Sequence, residues 1–298
     1  LNFNVTSNPN LTCINVDDVS YSTNNWTNID AQHYFSTNCP PPLPPQTYIP
    51  DNNFEAYLES NNMGNGIAND DSVTTSNIDG IINLNISSKA ISDLTGIEDF
   101  ISLITLDCGN NNLSSLDLNH NIDLTSLICF ANQLTTLDIS QNTLLTTLSV
   151  MGNNLSSLDV SQNTSLNTLN CFGNNLSSLD ISQNLNLMSL NCWSNQLNTL
   201  DVSQNPNLTS LNCSGNNLSS LDISQNPNLT SLNCFGNSLL NLDLSQNSNL
   251  SYVLCSNNLL ANLDIRNGNN TNIGYFDSKS NDSLFCVSVD DSTWSVNN

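Results

Sequence analysis

The chain has 298 residues, of which 10% are charged, and its 26 acids stand against Lys89, Lys279 and Arg266 for a net charge of −23. No basic patch exists to release counterions from phosphate, which excludes nucleic acid and anionic lipid as partners. No apolar run approaches the roughly 20 residues of a membrane-crossing helix, so membrane insertion is not expected, and an export signal is expected upstream of Leu1 or already removed.

The first element in chain order is residues 1–39. Its centre, Leu11-Thr-Cys13-Ile-Asn-Val16-Asp17-Asp18, recurs as Leu284-Phe-Cys286-Val-Ser-Val289-Asp290-Asp291. The match runs on without a gap, so that Asn25 falls on Asn298. The second copy follows the last coil of a repeat array, where a closing cap belongs. Residues 1–39 are therefore expected to be the closing cap of a preceding unit, and 267–298 the start of this unit's own. A disulfide is expected between Cys13 and Cys39, as an exported cap permits, with the partner of Cys286 beyond Asn298. Residues 40–47, led by Pro40 to Pro45, read as a stiff polyproline-type spacer. Residues 48–102 read as an N-terminal cap with a short helix near Phe54–Ser60.

From Leu103 to residue 266 the sequence repeats with a period of about 21 residues. A clean copy is Leu208-Thr-Ser-Leu211-Asn-Cys213-Ser-Gly-Asn216-Asn-Leu218, followed by Ser-Ser-Leu221-Asp222-Ile223-Ser-Gln-Asn226. About eight coils are expected, with Leu106, Leu127, Leu148, Leu169, Leu190, Leu211, Leu232 and Val253 in register. This pattern resembles the bacterial leucine-rich-repeat family, in its subclass with a nested period of ten to eleven residues. Tyr48-Ile-Pro-Asp-Asn-Asn-Phe54-Glu-Ala-Tyr-Leu58 resembles the N-terminal cap of such proteins from Flavobacteria-like organisms. The resemblance implies a leucine-rich-repeat solenoid, α/β by family and mainly β in practice, in a bacterial protein that is secreted or displayed at the cell surface. Asp71-Ser72-Val73 and Asp282-Ser283-Leu284 resemble the O-glycosylation signal of Bacteroidetes-type organisms, making Ser72 and Ser283 candidate acceptors.

The alternation in L-x-C and L-D-I sends Leu, Cys and Ile to one side and their neighbours to the other. One coil cannot bury its own apolar face, so stacked coils share a continuous core. Cys108, Cys129, Cys171, Cys192, Cys213, Cys234 and Cys255 share one inward position, which Val150 fills in the third coil. A site that takes Val or Cys asks for a small apolar side chain rather than a ligand, and the paired C-x-x-C spacing of a metal site is missing. Asn111, Asn132, Asn153, Asn174, Asn195, Asn216, Asn237 and Asn258 form a ladder whose amides can satisfy turn backbone.

Outward positions also form rows. The residue after the ladder cysteine gives a broken apolar track, Phe130, Met151, Phe172, Trp193 and Phe235, edged by Ser, Thr and Asn. Such a track suits stacking on sugar rings or gripping a protein, or else the aromatics cover neighbouring coils. The second half-repeat aligns Asp138, Asp159, Asp180, Asp201 and Asp222, whose mutual repulsion must be screened, hydrogen-bonded or countered by cations. Loose association of Ca²⁺ along this row is one reading, and a structural ladder is the other. No nucleophile constellation, phosphate-cradling loop or H-E-x-x-H motif appears, so an enzyme is not expected. The expected function is an extracellular structural or adhesive repeat protein, one unit of a tandem adhesin or filament whose partners are adjacent copies end to end. The alternative is a discrete module that binds a surface glycan or protein through the aromatic track.

Overall fold

The computed structural model describes residues 3–41 and 44–291. Two compact units are present, Leu1–Pro45 and Gln46–Asn298. Part of the spacer (Pro42, Leu43) and the end of the second cap copy (292–298) lie outside the described residues.

In the first unit, strand Cys13–Asn15 pairs in parallel with Tyr34–Ser36. Between them lies helix Val19–Asn25, whose N-cap Asp18 accepts a hydrogen bond from the Tyr21 N–H. Phe3 stacks on Trp26 at 4.4 Å, and Trp26 meets Phe35 edge-on at 5.9 Å. Cys13 and Cys39 form a disulfide, their Cα atoms 5.7 Å apart. So small a unit buries little apolar surface, and a cross-link that closes a loop compensates for that.

The second unit opens with an antiparallel pair, Gln46–Tyr48 against Ser72–Thr74. Gln46 and Thr47 are thus strand residues and not spacer, because their backbone finds partners at Thr74 and Val73. Helix Asn52–Ser60 follows. Its N-cap Asp51 accepts from the Asn53 and Phe54 N–H groups with one oxygen, and from Ser92 and the Asp93 N–H with the other. Burial pushes this carboxyl up, yet the hydrogen bonds from Ser92, Phe54 and Asp93 outweigh it and hold it below the ordinary carboxylate range. One side chain therefore both starts the helix and fastens it to the segment leading into the coils, while Phe54 stacks on Phe100 at 6.1 Å.

The rest is a leucine-rich-repeat solenoid built on a ten-stranded, all-parallel sheet. The expected count of about eight coils is corrected to ten strands. Asn83–Asn85 joins before the first clean repeat, and Tyr275–Asp277 after the last. Each strand spans only three residues, so no strand is stable by itself. Register comes from stacking like on like, with Leu127 beside Leu148 and Leu148 beside Leu169. The central residue of each clean-repeat strand is buried, as are the Leu three positions before it and the Cys two positions after it. Each buried Leu contributes about 1.5–3 kcal/mol before its entropy is subtracted. The opposite side of the coil is irregular through most of its length. At the C-terminal end it becomes a three-stranded parallel sheet of Asn241–Asp243, Asn262–Asp264 and Cys286–Ser288.

Two asparagine ladders hold the turns, one more than expected from the sequence. In the first, Asn174 Nδ2 donates to the Cys171 carbonyl in its own coil and the Val150 carbonyl in the coil before, and its Oδ1 accepts from the Leu155 N–H. In the second, Asn163 Nδ2 donates to the carbonyls of Ile139 and Asn142. The same pattern recurs from Asn121 to Asn247, all fully buried. Buried peptide groups that meet no strand partner are satisfied this way in every clean coil.

Candidate functional site

Because strand residues alternate, each coil presents three outward positions on the face of the ten-stranded sheet. The first column is hydroxyl-rich, running from Thr105 and Ser126 to Tyr252 and Tyr275. The second is largely amide, and the third holds the apolar track. Across all three columns the charged side chains are Asp107, Asp277 and Lys279 alone, although the chain carries a net charge of −23. The acids are concentrated elsewhere.

Within the third column, Phe172 and Trp193 stack with ring centroids 4.6 Å apart and planes 9° from parallel. Met151 is held beside them, its sulfur accepting from Asn170 Nδ2 at 3.3 Å. Phe130 lies across Gly109, where an added Cβ would stand 2.3 Å from the ring. That position therefore needs glycine for the ring to lie flat. Phe130, Met151 and Phe172 are half-buried, whereas Trp193 and Phe235 are 42% and 41% exposed. Ser214, whose coil lies between those of Trp193 and Phe235, is buried. The track is thus continuous from Phe130 to Trp193, with Phe235 set apart by one coil. A second aromatic pair on the same face is not evident from the repeat. Tyr252 and Tyr275 stack at 4.9 Å at its C-terminal end, hidden because their spacing overshoots the regular period.

The aspartate row is hydrogen-bonded to backbone. Asp138, Asp159, Asp180, Asp201 and Asp222 each accept from the N–H of the serine two residues on, at 2.9 Å. That backbone bond, followed by the serine side chain, holds all five carboxyls below the ordinary range. Repulsion from the neighbouring aspartates is the weakest contribution at Asp159. The row ends at Asp264, which is ion-paired with Arg266. Among the described residues no group of three or more His, Cys, Asp or Glu side chains comes close enough to hold a metal ion.

Of the two candidate acceptor serines, Ser72 lies within a strand with its Oγ accepting from Asn65 Nδ2, and Ser283 is exposed on a turn. His33 is buried in the first unit, its Nδ1 accepting from the Asp30 N–H, and His120 is exposed. The seven ladder cysteines are buried free thiols, and Cys286 is exposed. Beside the entry edge of the sheet strands runs a groove of about 650 Å³ lined by Asn, Thr and Ser with Met188. The groove is not evident from the repeat, since the positions that form it vary from coil to coil. Among the described residues no helix is long and apolar enough to cross a membrane.

No protein-family model matches the chain, and no curated protein does. Solved structures do. The functional domain of InlJ from Listeria monocytogenes, described as including a cysteine ladder, aligns at 30% identity and a TM-score of 0.61, over 81% of this chain and 63% of that one. A leucine-rich-repeat protein of Leptospira interrogans aligns at 28% identity and a TM-score of 0.54, over 65% and 50%. YopM from Yersinia enterocolitica aligns at 28% identity and a TM-score of 0.58, over 70% and 44%. The chain thus spans less than two thirds of each of these.

Proposed function

We propose that the chain is a non-catalytic, extracellular structural and adhesive module, one unit of a tandem bacterial surface adhesin or filament whose partners are adjacent copies joined end to end. The observation that carries this reading is the duplicated cap strand. Cys286–Ser288 pairs with the preceding strand Asn262–Asp264, while its sequence copy Cys13–Asn15 pairs with the following strand Tyr34–Ser36. Combined, the two roles describe one strand that receives a solenoid on one side and passes to a disulfide-closed cap on the other. A chain that carries both copies fits a polymer in which each solenoid runs into the next. Electron microscopy of the native parent assembly on cells or in medium tests this. Thin fibres with a regular axial repeat are expected, and isolated particles without a repeat would overturn the proposal.

A second reading has its own support, the near absence of charge from the sheet face together with the stacked Phe172–Trp193 pair. A neutral, aromatic surface suits a protein or glycan partner, because docking there desolvates few charges. In this reading Trp193→Ala lowers affinity for the partner by about 2 kcal/mol or more. The change should leave the thermal midpoint within a few degrees, because Trp193 is 42% exposed and lies outside the core. Surface plasmon resonance against the partner, with the midpoint measured alongside, separates this from a packing role, in which stability would fall and affinity would not.

A further inference from the structure

The groove beside the entry edge of the strands belongs to neither reading, and its chemistry is specific. Along it stand Asn186, Asn207, Asn228 and Asn249, one per coil and all exposed. Each donates through Nδ2 to a backbone carbonyl of the coil before, Asn207 to Leu185 and Asn228 to Pro206, both at 3.1 Å. That contact fixes the amide plane and leaves Oδ1 and one N–H of each without a partner among the described residues. Beside them, Thr209 Oγ donates to the Met188 carbonyl at 3.0 Å and Thr230 Oγ to the Thr209 carbonyl at 2.9 Å. Their hydroxyl protons are used, and their lone pairs remain. No charged side chain lines the groove, and Met188 supplies an apolar contact in its course.

The fold does not require asparagine at this position. Asp123 and Leu144 occupy it in earlier coils, and Ser165 where the groove starts. The ladder of four asparagines is therefore local to the C-terminal half, where it lays pre-oriented polar groups along the axis at the coil spacing of about 4.8 Å. Pre-orientation matters because the cost of ordering these side chains falls outside the binding step. Acceptors exceed donors, so the groove suits groups that can donate, and its neutrality within so acidic a chain disfavours anions.

We propose that this groove binds an extended neutral glycan, whose hydroxyls meet the Asn and Thr array coil by coil and whose C–H face rests on Met188. The coil spacing is close to the advance of one pyranose along an extended β-1,4 chain, so each coil meets one ring, and successive rings present opposite edges to the array. Isothermal titration of the whole chain with cellohexaose, mannohexaose and hexagalacturonate tests it. At least one neutral hexasaccharide is expected to bind, and the anionic one is not. The double variant N207L/N228L is expected to weaken that binding about tenfold or more. It should still fold, since Leu144 already stands at this position. Asn175→Ala, at an exposed position outside the groove lining, is expected to leave the titration unchanged. Failure of both neutral probes to bind, tighter binding of hexagalacturonate, or loss with Trp193→Ala but not with N207L/N228L would each overturn the assignment.

Discussion

Raising the pH above 9 is expected to unfold the solenoid steeply, because the folded protein cannot ionise the thiols that line its interior. Burial pushes Cys129, Cys171 and Cys213 from 9.0 up to about 12, with the negative charge of Asp107 adding at Cys129. Cys255 rises to about 12 as well, through burial and then Asp277, while Cys108, Cys192 and Cys234 are displaced well upward in the same direction. A thiol whose pKa is higher folded than unfolded contributes its full stability below the unfolded value. That contribution is lost as pH climbs towards the folded value, so the window runs from about 9 to about 12. Each such thiol removes about 1.4 kcal/mol per pH unit once its unfolded form is ionised. The seven buried thiols act together, and about 10 kcal/mol per unit rivals the whole stability of a typical domain. Thermal midpoints measured from pH 7 to 11 under reductant should be flat to about pH 8.5 and then fall sharply. The triple variant C192V/C213V/C234V should lessen the slope by about 4 kcal/mol per unit. It should fold, because Val150 already fills this position with no exposure. Superimposable curves for the two proteins would acquit the thiols.

The same ladder shows what periodicity can and cannot convey. Its inward direction follows from one Val among seven Cys, and the buried position of every ladder residue agrees. The parallel solenoid follows from leucines that recur in strict register. The two terminal coils escape the same logic. Asn83 pairs with Thr105 across one residue more than the regular period, and Tyr252 with Tyr275 across two more. The latter gap takes in a short 3₁₀ turn at Asn270–Asn272. Stacking tolerates one or two extra residues in a turn, but a periodic template does not. The second ladder was visible as the Asn ending each L-D-I-S-x-N, yet nothing in the spacing says that its amide reaches the coil before. The aromatic track illustrates a different limit. The row of residues is set by period, whereas the face-to-face contact of Phe172 and Trp193 depends on side-chain rotation, which a period does not encode. The groove is less legible still, since it depends on where the repeat departs from its own consensus.

Asn174→Ala is expected to destabilise the array by roughly 2–5 kcal/mol, since one buried N–H loses its only partner at about 1–3 kcal/mol and two carbonyls each lose one of two hydrogen bonds at about 0.5–1 kcal/mol. The groups are the Val150 and Cys171 carbonyls, which accept from Nδ2, and the Leu155 N–H, which donates to Oδ1, all at 3.0 Å. Asn153 and Asn195 still donate to the Val150 and Cys171 carbonyls, so the Leu155 N–H is the group left without a partner. Asn174→Asp separates the two halves of the role. It keeps an acceptor for the Leu155 N–H but turns an oxygen towards two carbonyls, so it should be at least as damaging as alanine. The neighbouring Asn175 is exposed, and Asn175→Ala should fall within about 0.5 kcal/mol of the parent. Position matters as much as chemistry. Coils interact with their nearest neighbours, so a defect in the middle of the stack weakens the coupling of one half to the other. Urea unfolding followed by circular dichroism should therefore show an earlier midpoint together with a shallower or divided transition. A parent-like curve for Asn174→Ala would mean that water entering the turn satisfies the Leu155 N–H. The ladder would then be a consequence of the stack and not what holds its turns closed.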